Sequence, residues 1–148
     1  MSNLWEDEKD WLKITVPGVT QILAIAVDPL TENIFYIIPE RGTALTDVID
    51  NNKDQIDMGD GKLRGRDDVA ETVRKEITST LAKLQKSGKS YGPLREENVF
   101  FFQGKVLIEN QLLVKSCAFQ DFDEKEEHSQ NLLRLNVIIA NILAYNKT

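Results

Sequence analysis

One apolar stripe constrains the fold of this chain more than any other feature. Val69, Val73, Ile77, Leu81 and Leu84 recur at spacings of four, four, four and three residues. Because an α-helix has about 3.6 residues per turn, this spacing places all five side chains on one helical face. We therefore predict a helix at about residues 67–87, packed by this face against a core.

Boundary signals flank the predicted helix. Asp68 and Glu71 form a D-x-x-E pattern that resembles a capping box at the start of a helix. Gly88 stands where a left-handed residue commonly ends a helix. The two signals agree with the span that the apolar stripe indicates.

Strand patterns occur on both sides of this helix. Alternating or continuous apolar residues predict strands at 11–16, 20–27, 34–38, 98–103, 105–109 and 112–119. The links within each set of three are short and carry turn residues, such as Pro17-Gly18 and the run at 28–33, so each set is predicted to form an antiparallel meander. The run at 20–27 is nearly continuously apolar, which is typical of a strand covered on both faces.

Two further helices complete the predicted fold. One is expected at 42–52, and another at 123–145, whose apolar second half predicts a central position. A polar, Gly-rich segment at about 51–66 is expected to be a flexible surface loop. The predicted fold class is α+β, one globular domain over 1–148. Its antiparallel sheet consists of two three-stranded meanders with about three helices packed on it, in the order βββααβββα.

The amino-acid composition limits the cellular compartments and the kinds of binding partner that fit this chain. The 148-residue chain has one cysteine, which is typical of a reducing compartment, and its acidic start does not resemble a signal peptide. The longest nearly apolar runs fall far short of the ~20 residues that span a bilayer. A cytoplasmic protein is therefore expected. Its net charge of −6 disfavours nucleic acid and anionic membranes and favours a basic protein partner.

The residue types that most enzymes and metal sites require are scarce. His128 and Cys117 are the only histidine and the only cysteine, which argues against a zinc site and a nucleophile–base pair. The aspartates of the segment at 51–66 do not fit the EF-hand pattern of a calcium site. That pattern requires acidic residues at loop positions 1 and 3, which fall on Ile56 and Met58 when Gly61 is the loop glycine. We therefore predict no catalytic residues, no metal and no cofactor, and expect that the protein is not an enzyme.

An acidic segment at 121–127, which contains five carboxylates, opens the last predicted helix. Carboxylates near a helix N-terminus oppose the helix dipole, but this accounts for only one or two of the five here. The remaining carboxylates lie beside aromatic residues such as Phe122, and together they indicate a surface that attracts a cationic protein. The predicted partner-binding residues are Asp121, Phe122, Asp123, Glu124, Glu126 and Glu127.

These features favour a small acidic protein-binding inhibitor. Within that class, an immunity or antitoxin protein that neutralises a basic toxin, such as a nuclease, fits the small size and the acidity best. The alternative is a small-molecule or phosphate-binding regulatory domain, in which Lys62, Arg64 and Arg66 bind the anion before a helix N-terminus. The partner's identity and the oligomeric state stay open.

Overall fold

The computed structural model describes residues 11–49, 54–89, 91–114 and 124–144, with the side chains of the last range described from residue 128 onward. These residues form a mixed α+β structure with antiparallel sheets and three α-helices. The strands are β1 Ala24–Val27, β2 Ile34–Ile37, β3 Thr43–Ala44, β4 Gln55–Asp57, β5 Leu63–Gly65, β6 Val99–Phe102 and β7 Lys105–Ile108. The helices are α1 Leu45–Ile49, α2 Arg66–Lys86 and α3 Glu124–Leu143.

Helix α2 confirms the apolar stripe, and all five stripe residues are buried. Its end is also as predicted, because Gly88 has a φ of +74° and the Lys89 amide donates to the Leu84 carbonyl over 2.9 Å. The capping box predicted from Asp68 and Glu71 was wrong. The helix begins at Arg66 after Gly65, and no side chain caps it.

The central sheet has the order β3-β6-β7 and is antiparallel. Val99 pairs with Ile108 and Phe101 with Val106, and all four side chains are buried. Strand β7 contacts α2, and α2 also contacts α3. The apolar stripe of α2 therefore joins the sheet and the last helix in one core.

Helix α3 buries one face rather than its whole circumference. Leu135, Ile138 and Ile142 are buried in the core, whereas Leu133 and Val137 are exposed. The predicted helix is confirmed, and its second half contributes to the core as expected, but only by one face. Apolar residues on every side of a helix therefore do not ensure that every side is buried.

A buried polar junction follows β7 and consists of Glu109, Asn110 and Gln111. The Glu109 carboxylate accepts from the Thr20 hydroxyl over 2.8 Å and from the Arg41 guanidinium. These bonds connect the end of β7 to the chain on both sides of β1 and β2.

Asn110 extends the polar junction to the first described residues. Its side-chain amide donates to the carbonyl oxygens of Trp11 and Thr20, and its side-chain oxygen accepts from the Leu112 amide. Gln111 completes the junction by exchanging two hydrogen bonds with the backbone of Gly92. Buried polar groups of this kind are costly to leave without partners.

One predicted strand was wrong, and a second was wrong over the part that the structure describes. Trp11 and Leu12 are helical and 13–16 form no strand, although Trp11 and Ile14 are buried. Residues Gln111–Leu113 form a 3₁₀ turn rather than a strand, because Asn110 caps them by accepting from the Leu112 amide. Residues 115–119 of that predicted strand lie outside the described residues.

The helix predicted at 42–52 begins later than expected, since Thr43–Ala44 pair with β6 before α1 begins, and residues 50–52 lie outside the described residues. The polar segment at 51–66 contains the antiparallel pair β4 and β5, with Ile56 and Met58 fully buried. The single sheet of two meanders is therefore replaced by sheets of two, three and two strands within the described residues.

Replacing Asn110 with alanine tests the polar junction. Asn110→Ala removes the partners of two buried carbonyl groups and one amide, so we expect a loss of about 2–3 kcal/mol in the free energy of unfolding. Urea denaturation measures this loss. The control Gln130→Ala removes an exposed amide and should change stability by less than about 0.5 kcal/mol. Equal stability of both variants would show that the junction contributes little.

Candidate protein-binding site

Strands β1 and β2 and their connecting turn form a two-stranded hairpin, here called the hairpin arm (residues 23–37). The strands are antiparallel, with Ala24 opposite Ile37 and Val27 opposite Ile34. The turn is closed by bonds from the Asp28 amide to the Asn33 carbonyl and from the Glu32 amide to the Asp28 carbonyl, at 2.9 and 2.8 Å. The turn predicted at 28–33 is thereby confirmed.

Both faces of the hairpin arm are apolar, and both are exposed. Because side chains alternate along a strand, Ala24, Ala26, Phe35 and Ile37 lie on one face. The opposite face has Ile25, Val27, Ile34 and Tyr36. All eight residues are exposed, and at the turn Leu30 is 93% exposed.

This exposure corrects the prediction for residues 20–27. Their apolar run indicates a strand buried on both faces, but the structure gives a four-residue strand, Ala24–Val27, with every residue exposed. An isolated two-stranded hairpin is marginally stable in water. Apolar patches of this kind on a protein surface mark interaction sites. The arm therefore has the sequence of a buried element in an exposed position.

The charge of this region is entirely negative. Between Val19 and Glu40 the chain has three acidic residues, Asp28, Glu32 and Glu40, and no basic one. Hydrogen bonds from the Leu30 amide and the Thr31 hydroxyl hold the pKa of Asp28 below its ordinary value. Asp28 is thus ionised at neutral pH, and its charge lies beside apolar surface at the turn of the arm.

The arm is anchored firmly at its base. The Thr20 amide donates to the Ile108 carbonyl over 2.9 Å, and the Ile108 amide donates to the Gly18 carbonyl over 2.8 Å. After the arm, Arg41 pairs with Glu109 of the polar junction, and its guanidinium lies 5.0 Å from the centre of the Phe100 ring. Both ends of the arm are therefore attached to the end of the central sheet.

The segment that leads into the hairpin arm contains a turn that requires glycine at position 18. A Cβ atom added there would lie 2.1 Å from the Thr80 hydroxyl, and Gly18 has a φ of +96°. The turn predicted at Pro17-Gly18 is thus confirmed, and no other residue fits it without strain.

The acidic segment stays a prediction. Asp121, Phe122 and Asp123 lie outside the described residues. The backbone of Glu124, Glu126 and Glu127 belongs to the first turn of α3, but their side chains are not among those described. Cys117 also lies outside the described residues, and His128 is half-buried near the start of α3.

The three predicted phosphate-binding residues have different environments. Lys62 is exposed, whereas the Arg64 guanidinium binds both carboxylate oxygens of Asp60. Arg66 is buried and donates to the Ile142 carbonyl over 3.2 Å and to the Ile49 carbonyl over 3.5 Å. Two of the three guanidinium or ammonium groups are therefore engaged within the chain.

A different set of cations lines a cleft of about 310 Å³ between α2 and β7. Lys75, Lys83 and Lys105 border it, together with Glu76. Burial raises the pKa of Glu76, opposed by a hydrogen bond from the Val106 amide and by the charge of Lys105. The spacing of eight residues between Lys75 and Lys83 was visible in the sequence, but the proximity of Lys105 was not.

Comparison with known protein families and with curated proteins finds no match to this sequence. None of the helices in the described ranges is long and apolar enough to cross a membrane. Among the residues that the structure describes, no group of three or more His, Cys, Asp or Glu side chains could hold a metal ion.

Two phenylalanines test the exposure of the arm. Phe35 is 54% exposed and Phe101 is fully buried. We expect Phe35→Ala to lower the free energy of unfolding by roughly 1 kcal/mol or less, and Phe101→Ala by about 3–5 kcal/mol. Chemical denaturation measures both. A loss of several kcal/mol for Phe35→Ala would mean that the arm packs against the rest of the chain.

The Asp60–Arg64 pair gives a separate expectation. Its hydrogen bonds lower the pKa of Asp60 from 3.8 to about 2. The contribution of this pair to stability is therefore present above pH 3.8 and is lost as the pH falls towards 2. Carboxyl NMR titration should show the low pKa, and Arg64→Gln should return it towards 3.8. An Asp60 that titrates near 3.8 in the unchanged chain would contradict this pairing.

Proposed function

We propose that this protein is a small acidic binding protein that inhibits a basic protein, and that the hairpin arm is its main contact surface. The observation that carries this proposal is the exposure of apolar side chains on both faces of the arm. Immunity and antitoxin proteins, which neutralise a toxin by binding it, are the class that we propose.

The magnitude of the hydrophobic effect supports this use of the arm. A partner that removes about 400 Å² of apolar surface from water gains roughly 10 kcal/mol. That gain is comparable with the ~4–15 kcal/mol that association costs in lost translation and rotation. Apolar burial on the arm therefore offsets much of the cost of association, and charge selects among partners.

The acidic residues of the arm favour a basic partner. Asp28 and Glu32 lie in the turn, where a cationic surface would meet two carboxylates without any competing base between Val19 and Glu40. Opposite charges accelerate association and exclude acidic competitors. A basic toxin such as a nuclease has the required surface, and the bound carboxylates would occupy positions that substrate phosphates take.

Binding to the purified product of the adjacent gene tests the proposal. We expect a complex at micromolar concentration and low salt, measured by calorimetry, with affinity that falls as salt screens the charges. Phe35→Ser and Leu30→Ser should each weaken binding by about tenfold or more. The matched control is Leu63→Ser, which changes an exposed leucine outside the arm. No complex under these conditions would count against the proposal.

A charge series separates the acidic turn from the net charge. Asp28→Asn with Glu32→Gln should slow association several-fold, because these charges lie beside the contact surface. Glu71→Gln with Glu97→Gln removes the same number of exposed charges elsewhere and should have a smaller effect. Equal effects from both pairs would mean that only the net charge matters.

We also propose that the acidic segment contributes to the same partner surface. Its test is neutralisation of Asp121, Asp123, Glu124, Glu126 and Glu127 together by Asn or Gln. Slower association is expected if the segment meets the cationic partner. Unchanged association would remove the segment from the interface and leave the arm as the contact surface.

A second candidate function is the binding of a small anion, favoured by the lysine-lined cleft rather than by the three residues predicted from sequence. Lys75, Lys83 and Lys105 border one cleft, although Glu76 reduces its positive charge. A thermal-shift series with phosphorylated metabolites tests it. Stabilisation that is lost in Lys83→Ser with Lys105→Ser would support this function, and no shift would exclude it.

A further inference from the structure

The backbone of the hairpin arm has open hydrogen-bonding edges, and their positions follow from its register. In an antiparallel pair, opposed residues alternate between pairs that bond each other and pairs whose N–H and C=O groups point outward. The Asp28 amide donates to the Asn33 carbonyl, so this opposed pair is of the bonded type. Two and four residues along the strands, the pairs Ala26–Phe35 and Ala24–Ile37 are of the same type.

The alternate pairs therefore point their backbone groups outward. On β1 these belong to Ile25 and Val27, and on β2 to Ile34 and Tyr36. Each edge thus presents two N–H and two C=O groups. Among the described residues, the sheet of β1 and β2 has no third strand that would use them.

Neither edge has the charged residues or the proline that commonly prevent strand pairing. Natural edge strands are commonly protected by charged residues, especially lysine, or by proline. The strands Ala24–Val27 and Ile34–Ile37 contain neither. The nearest charges are the acids Asp28 and Glu32 at the turn, which repel a second acidic arm and attract a basic segment.

We propose that the partner binds by strand addition: an extended segment with basic residues pairs with one edge of the hairpin arm and enlarges it to a three-stranded sheet. This inference rests on the proposed function and specifies its binding mode. A partner that covered the edges together with the apolar faces, without pairing with the edges, would remove the edge groups from water without replacing their hydrogen bonds, which is costly. Strand addition supplies backbone bonds, and alternate partner side chains contact the apolar faces.

Charge and register also orient the added strand. Its basic side chains belong at the turn end of the arm, near Asp28 and Glu32, and its apolar side chains belong beside the exposed residues of the chosen edge. Because backbone bonds are common to all sequences, the position of the basic residues sets the partner's register.

Residue-resolved amide exchange of the full chain, alone and bound to the product of the adjacent gene, tests strand addition. In the unbound chain, the amides of Ala26, Phe35 and Ile37 should exchange more slowly than the outward-pointing amides. The outward-pointing amides form two rows, Ile25 with Val27 on β1 and Ile34 with Tyr36 on β2. In the complex, one outward row, either Ile25 with Val27 or Ile34 with Tyr36, should slow by about tenfold or more. Protection of one row identifies the edge that is used.

Proline substitutions give a second measurement that does not depend on exchange. Ile25→Pro and Tyr36→Pro each remove an outward N–H without removing a bond between β1 and β2. One of them should weaken binding by about tenfold or more, while the other edge tolerates its proline. Ile25→Thr and Tyr36→Thr keep the N–H and separate the loss of a backbone donor from the loss of a side chain. NMR spectra of each variant verify the fold.

The outcomes separate this inference from the function on which it rests. A complex in which neither row is protected and both proline variants bind normally overturns strand addition but leaves the proposed function standing. Absence of any complex counts against both. One row of amides could instead be protected in the unbound chain, with protection that increases with protein concentration. That result would show that a second copy of this chain pairs with the edge, and it would overturn the proposal that a basic partner does so.

Discussion

The hydrogen bonds of the polar junction are the interactions on which the rest of this structure depends. Glu109 and Asn110 follow directly after β7, so the central sheet fixes their position. Through them, Trp11, Thr20 and Arg41 are attached to the sheet, although they are distant in sequence. The junction is buried, where a hydrogen bond is stronger and a missing one costs more than in water. It therefore determines where the chain leaves the core to form the hairpin arm and where it returns.

The anchoring at Thr20 and Arg41 explains how an apolar hairpin can be presented outside the core. An isolated hairpin has too little burial to be stable by itself. Here both of its ends are held by a sheet whose residues pack against the stripe of α2. Attachment at both ends restricts the arm, and restriction before binding lowers the conformational entropy that a contact surface loses when it binds. In the function that we propose, the arm is the contact surface and its acidic turn selects a cationic partner.

The elements that could be predicted from the sequence are those whose pattern is local. The stripe from Val69 to Leu84, the glycine at the end of α2 and the turn at 28–33 all follow from spacing and turn chemistry. The antiparallel pair of β4 and β5 could not be predicted in the segment at 51–66, because only the buried Ile56 and Met58 distinguish it from a polar loop. Burial of Arg66 depends on carbonyl groups of Ile49 and Ile142, which no local pattern reveals.

The apolar run at 20–27 shows why the proposed contact surface cannot be predicted from the sequence alone. Its composition correctly indicates a strand suited to burial, but composition does not specify what covers it. Clustered charge, by contrast, is visible without a fold and indicates the acidic segment, whose residues Asp121 to Asp123 lie outside the described residues. The contact surface that we propose depends on exposure, which arises from tertiary packing and cannot be obtained from periodicity alone.

Oxidative footprinting of the arm in living cells, compared with the purified chain, asks whether a partner covers it. Leu30, Phe35 and Tyr36 should be oxidised readily in the purified chain and shielded in the cell. Leu63, which is exposed outside the arm, serves as the internal reference and should be oxidised similarly in both. Equal oxidation of the arm residues in the cell and in the purified chain would contradict a role of the hairpin arm in protein binding.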